Sequence, residues 1–112
     1  MLEITKTEYK RCDLVHVKGR IDAATFEEFQ KPLNASVGAG KYNIVVNMSD
    51  VDFMASAGLR ALIETHKACK KMNRGILVLS ELTPKIKDML NLAGVISIFT
   101  VYENDVDAVG SF

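Results

Sequence analysis

One hydroxyl group, that of Ser56, stands among small and apolar residues at the point where a buried strand gives way to a helix. The segment before it, 42–48, is a short β-branched run of the kind that forms a strand buried on both faces. After it, apolar residues recur at three- and four-residue steps, which predicts an amphipathic helix of about four turns. The residues of this apolar stripe are Leu59, Leu62, Ile63, His66, Cys69 and Met72.

The simplest role for Ser56 is structural. A serine oxygen accepts a backbone N–H that has no partner within the helix, so Ser56 is expected to cap a helix that begins at Ala57. Gly58 removes a side chain from the first turn at a cost of about 1 kcal/mol relative to alanine. Such a bare turn lets another protein approach closely, and the other side chains around the hydroxyl are uncharged: Met54, Ala55, Ala57 and Leu59.

A nucleophilic role for Ser56 is disfavoured by its surroundings. The nucleophile elbow requires G-x-S-x-G, and Met54 occupies the position of the first glycine. A base is also missing, because His66 belongs to the apolar stripe as a core histidine and His16 reads as a solvent-side strand residue. No phosphate-binding loop of the form GxxxxGK[ST] occurs in the sequence. We therefore expect no enzyme activity.

The composition limits the remaining classes of function. The 112 residues form one domain, 1–112, and the 14 basic and 14 acidic residues cancel, which argues against nucleic acid and anionic membranes as partners. Cys12 and Cys69 are too far apart in sequence for a metal motif and read as free thiols, and Asp50 and Asp52 read as turn formers in a loop. The sequence predicts a cytoplasmic protein without metal or cofactor.

The order of elements is predicted to be β, β, α, β, α, β, α, β and then a short helix, which is typical of an α/β domain with parallel central strands. Segments 2–9 and 14–20 form an opening hairpin, and 76–79 a second interior strand. A last strand is expected at 98–101 and a terminal helix within 103–109.

The helix boundaries rest on capping residues. Asp22 and Thr25 both offer a cap to the first helix, and Thr25 with Glu28 fits a capping box. Pro32 is expected to kink or shorten this helix, since it lacks a backbone donor. Thr83 with a proline after it begins the third helix, which Gly94 ends.

Two strings together resemble a known family. The string Met54-Ala-Ser-Ala-Gly-Leu59, paired with Gly19-Arg-Ile-Asp22 ahead of the first helix, resembles the anti-sigma factor antagonist family of single-domain STAS proteins. The resemblance covers essentially the whole chain. It implies an α/β fold with a mixed sheet of about five strands, parallel in its centre, and about four helices.

The resemblance also implies a function. Such bacterial regulators of transcription bind an anti-sigma factor that is an ATP-binding serine kinase, and binding releases the sigma factor. The resemblance makes Ser56 the phosphoacceptor and Asp22 the acid after the second strand, and it implies a monomer or weak dimer. The partner-binding residues that it implies are Asp22, Thr25, Ala55, Ser56, Ala57, Gly58 and Leu59.

This sequence departs from the usual family pattern at one position. An aspartate usually precedes the phosphoacceptor, and Ala55 stands there in this chain. The alternative function is therefore a STAS scaffold subunit of a larger signalling or transport complex, in which Ser56 is only a cap and phosphoregulation is absent.

Overall fold

The computed structural model describes residues 2–73 and 75–112, and the side chains of Met72 and Asn73 lie outside the described part. The α/β class and the order of elements are as predicted. The elements are β1 (Glu3–Glu8), β2 (Asp13–Ile21), α1 (Phe26–Gly38), β3 (Asn43–Met54), α2 (Ser56–Asn73), β4 (Ile76–Ser80), α3 (Pro84–Leu92), a 3-10 turn (Ile96–Ile98), β5 (Thr100–Tyr102) and α4 (Asp105–Gly110).

The strands form one mixed sheet in the order β1-β2-β3-β4-β5. The hairpin pairs β1 with β2 in antiparallel fashion, and the other three pairings are parallel. Parallel neighbours need a crossover connection, and α1, α2 and α3 supply these crossovers. The carboxyl ends of β2 and β3 therefore meet at one edge of the sheet.

The two faces of the sheet are covered unequally. The larger core lies between the sheet and three helices, which contribute Phe29 and Leu33 from α1, Leu62 and Cys69 from α2, and Ile86 and Leu90 from α3. A smaller cluster joins α4 to the opposite face, through Leu14, Val45, Val78 and Ala108. The first part of strand β3 is apolar on both faces, because the larger core covers one face of the sheet and the α4 cluster covers the other.

Two predictions about helix α1 are wrong, one about the effect of Pro32 and one about the capping box at Thr25. It runs through Pro32 to Gly38, so the expected shortening is wrong. Proline removes the N–H that would reach the carbonyl of Glu28, but Glu28 is exposed to water, which can satisfy that oxygen. The capping box is also wrong, because Thr25 makes no side-chain cap hydrogen bond.

Strand β3 is longer than the predicted 42–48 and continues to Met54. Asp50 and Asp52 therefore lie in a strand and not in the expected loop. The half-exposed His16 on β2 pairs with Asp50, with 2.9 Å between Nε2 and Oδ2. The prediction of His16 as a solvent-side strand residue is confirmed.

The end of the chain is confirmed in outline and corrected in detail. Thr83 caps α3 by accepting the N–H of Ile86 at 3.2 Å, and Gly94 follows α3 with a φ of 73°. The last strand begins at Thr100, because Ile98 belongs to a turn in which its N–H bonds to the carbonyl of Val95. In the part of the chain described by the structure, no helix combines the length and apolar character needed to cross a membrane.

His66 is a core histidine, as predicted. Its ring lies 5.4 Å from that of Phe99, and its Nδ1 accepts the N–H of Leu77 at 3.3 Å. Burial lowers the pKa of His66 below 6.5, and the charge of Lys70 lowers it further. The neutral ring is therefore part of the folded core.

This burial predicts acid sensitivity. Below about pH 6.5 the unfolded chain protonates His66 more readily than the folded protein does. The free energy of unfolding should therefore decrease as the pH is lowered. Urea unfolding at pH 7.5 and pH 5.5 measures the loss. The fall should be smaller in His66→Gln, which carries no titrating ring at this position. An equal fall in both proteins would show that His66 does not cause it.

Candidate functional site at the start of helix α2

Helix α2 begins at Ser56 itself, one residue earlier than predicted. The carbonyl of Ala55 accepts the N–H groups of Gly58 and Leu59, at 3.0 and 3.2 Å, so Ala55 holds the cap position. The N–H of Ala55 donates to the carbonyl of Ile21 at 2.7 Å, which holds it at the edge of the sheet. The prediction that Ser56 is the N-cap is wrong.

The displacement by one residue leaves the Ser56 side chain exposed. Its hydroxyl makes no hydrogen bond with any residue that the structure describes. An exposed hydroxyl without a structural partner is accessible to another protein, and nothing in the fold depends on it.

Ser56 lies on the wall of a cleft between α2 and α3, with a volume of about 140 Å³. The walls carry no charged side chain and are formed by Met54, Ala55, Ser56, Leu59, Met89, Leu90 and Ala93. Leu59 is half-buried here and also packs on the core. Of the predicted contact residues, Ala55, Ser56 and Leu59 are thus brought together on one surface.

Gly58 has a different role from the one that the sequence suggested. It is buried, and a Cβ added to it would lie 2.5 Å from Cγ2 of Ile21 and 2.9 Å from Cγ of Met54. The missing side chain lets α2 pack against the ends of β2 and β3, and it does not open the turn to a partner. Its neighbour Ala57 is half-buried beside it.

Asp22 forms a turn between β2 and α1. Its Oδ1 accepts the N–H groups of Ala24 and Thr25, at 2.9 and 3.2 Å, and its Oδ2 accepts Nε of Arg20 at 3.2 Å. The Ala24 N–H, with further help from Arg20 and Thr25, holds the pKa of Asp22 below its usual range. Asp22 therefore remains ionised and closes the turn.

Thr25 occupies the N-cap position of α1, as expected, but its side chain bonds within the same turn and does not cap the helix. Its Oγ1 donates to the carbonyl of Arg20 at 2.7 Å and accepts the N–H of Asp22 at 2.9 Å. Both hydrogen-bonding functions of the hydroxyl are thus occupied within the turn. The side chain of Arg20 also lies over Phe53, with 4.1 Å to the ring centroid.

The turn and the start of α2 are neighbours. Ile21 and Met54 are partners in the register of β2 and β3, and each is followed by one of the two segments. The 2.7 Å bond from Ala55 to Ile21 ties these segments together. The Asp22 turn therefore stands beside the cleft that contains Ser56.

The comparisons with known proteins agree with this arrangement. The model of the STAS domain family matches residues 3–108, which is nearly the whole chain. The chain belongs to the STAS domain family. A protein of Bordetella bronchiseptica, provisionally named anti-sigma factor antagonist BtrV, is 30% identical over 86% of this chain and 82% of its own.

Solved STAS structures share the fold. An anti-sigma factor antagonist from Mycobacterium paratuberculosis superposes with a TM-score of 0.88, at 22% identity, over 99% of this chain and 93% of that one. The Bacillus cell fate determinant SpoIIAA in its phosphorylated form gives a TM-score of 0.76, at 14% identity, over 97% and 98% of the two chains. These likenesses establish the predicted STAS fold with its five-stranded mixed sheet.

Sequence reasoning missed part of the STAS cleft. Met89 of α3 and Ala93, which directly follows α3, form its second wall, although α3 lies about thirty residues further along the chain. The sequence signal was a set of apolar residues at helical spacing, Ile86, Met89, Leu90 and Ala93, which the core does not completely bury. Periodicity does not indicate which part of a stripe remains open.

Proposed function

We propose that this STAS domain is a phosphorylation-switched anti-sigma factor antagonist. It binds an anti-sigma factor that is a serine kinase while Ser56 is unmodified, and the sigma factor is thereby released. The exposed hydroxyl of Ser56 on the wall of an uncharged cleft is the observation that carries the proposal. A neutral serine favours docking there, and a phosphorylated one opposes it.

The relatives support the same proposal. The Bordetella bronchiseptica relative carries the name of an anti-sigma factor antagonist, and so does an anti-sigma F factor antagonist of Paenibacillus polymyxa at 21% identity. SpoIIAA has been solved in a phosphorylated and in an unphosphorylated form. A protein of this fold that exists in both forms supports a phosphorylation switch in this chain.

The physical basis of the switch is desolvation of charge. A phosphate brings about −1.5 to −2 charges at pH 7, onto a cleft whose walls are uncharged. A partner that covers the cleft would have to remove water from a dianion. A penalty of about 3 to 4 kcal/mol lowers affinity by roughly a hundredfold to a thousandfold.

The fold should tolerate the modification. Ser56 is the first residue of α2, where a negative charge gains about 0.3 to 1 kcal/mol from the helix dipole. No acidic residue occupies this first turn, so no carboxylate would repel the phosphate there. Phosphorylation is therefore expected to change the surface and leave the domain intact.

The other predicted contact residues take unequal parts in the proposal. Leu59 and Ala55 offer apolar surface within the cleft, and Met89 and Ala93 extend it. The ionised Asp22 stands beside the cleft as a fixed negative charge for the kinase to recognise. Thr25 and Gly58 act from below the surface by holding the turn and the helix in place.

The proposal predicts one site of modification. The kinase, purified on immobilised protein and incubated with Mg-ATP, should phosphorylate Ser56 and no other residue. Mass spectrometry of the digested protein locates the phosphate. Ser56→Ala should accept none, while Ser97→Ala, which removes another exposed serine, should be modified like the wild type. Phosphate on a different residue, or stable binding without any modification, would contradict the proposal.

A further inference from the structure

Arg60 is an exposed cation one helical turn after Ser56. Residues four apart on a helix share a face, with Cβ atoms about 6 Å apart. Long helical side chains lean toward the N-terminus, so the guanidinium of Arg60 can reach the turn that contains Ser56. The geometry places a flexible positive charge within reach of any group attached to the Ser56 hydroxyl.

Arg60 has no acidic partner in the described part of the chain. The ion pairs found between residues 2–73 and 75–112 use the side chains of other residues: Lys6, His16, Lys18, Arg20 and Lys41. Glu64, one turn further toward the C-terminus of α2, lies beyond 4.0 Å of Arg60. The first turn of α2 contains no acidic residue that could compete for it.

The nearby Arg20 is not equivalent. Its Nε donates to Asp22 at 3.2 Å and its guanidinium rests on Phe53, so moving it would break both of these contacts. Arg60 can move without breaking any such contact. A phosphate on Ser56 would therefore be met by Arg60 and not by Arg20.

We propose that Arg60 is a latch for the phosphorylated state. When Ser56 carries phosphate, the guanidinium closes on it and holds it against the first turn of α2, at the mouth of the cleft. A guanidinium forms two parallel hydrogen bonds to phosphate, which fixes its position better than an ammonium does. This inference rests on the proposed function only for the identity of the modified residue.

The latch is tested without the kinase. Phosphoserine is incorporated at position 56 during translation, and the second pKa of the phosphate is followed by phosphorus NMR across pH 5 to 8. A neighbouring cation favours the dianion, so Arg60→Gln should raise this pKa by about 0.3. Arg60→Lys keeps the charge and should recover part of the difference.

Lys67→Gln is the matched control, because it removes one exposed positive charge from the same helix far from its start. It should leave the pKa of the phosphate close to that of the wild type. Equal pKa values in Arg60→Gln and Lys67→Gln would overturn the latch. Since the phosphoserine is incorporated during translation, this result is separate from whether a kinase recognises Ser56.

Discussion

Replacing Ser56 by aspartate should weaken binding of the kinase by about a hundredfold and leave the free energy of unfolding within about 1 kcal/mol of the wild type. The carboxylate would introduce a charge on the uncharged wall of the cleft, which the partner must desolvate. The fold should be unaffected, because the side chain is exposed and lies at a helix N-terminus. Isothermal titration with the purified kinase measures the first quantity, and urea unfolding the second.

Two controls separate charge from other effects of this substitution. Ser56→Ala removes the hydroxyl without adding charge and should bind like the wild type, because the hydroxyl has no partner in the described fold. Ser97→Asp adds the same charge at an exposed position in the turn before β5 and should also bind normally. Equal affinities for Ser56→Asp and Ser56→Ala would rule out an electrostatic switch at this residue.

Replacing Gly58 by alanine should destabilise the protein by about 1 to 3 kcal/mol, although alanine is the better helix former by about 1 kcal/mol. The added methyl group would meet Cγ2 of Ile21 at 2.5 Å and Cγ of Met54 at 2.9 Å. Both side chains are buried, so α2 would have to shift away from the sheet. The midpoint of urea unfolding reports the loss, and the shift should also weaken kinase binding.

Gly38→Ala is the matched control for this prediction. Gly38 is the last residue of α1, and a Cβ there would have nothing within 4 Å. This substitution should be neutral or stabilising by up to about 1 kcal/mol, from helix propensity and the smaller entropy of the unfolded chain. If Gly58→Ala were as stable as Gly38→Ala, Gly58 would not be required for close packing of α2.

The order of strands and helices was predictable because it depends on local patterns. Periodicity and capping residues can be recognised in the sequence without knowing the tertiary contacts of an element. Such local patterns are the apolar run of β3, the apolar stripe of α2 and the Thr83 cap of α3. This order of elements already indicated parallel central strands, and the family resemblance added the expectation of about five strands and about four helices. The local patterns and the family resemblance indicate the same order of strands and helices, so a single topology satisfies both.

The details of the site depended on contacts that a linear sequence does not contain. The start of α2 lies at Ser56 because the carbonyl of Ala55, whose N–H bonds to Ile21, accepts the first hydrogen bonds of the helix. Asp22 and Thr25 were both taken for helix caps, and the fold uses them to close the turn before α1. The second wall of the cleft required α3 to pack beside α2, and no local signal reports the distance between two helices.

The central claim is that the uncharged start of α2 binds the kinase and that phosphate on Ser56 prevents it. The most direct measurement is the affinity of the purified kinase for this protein without phosphate, with phosphoserine at position 56, and after phosphatase treatment of that same sample. The account predicts tight binding, a loss of about a hundredfold or more, and full recovery. Equal affinity of the unmodified and phosphorylated proteins would contradict it.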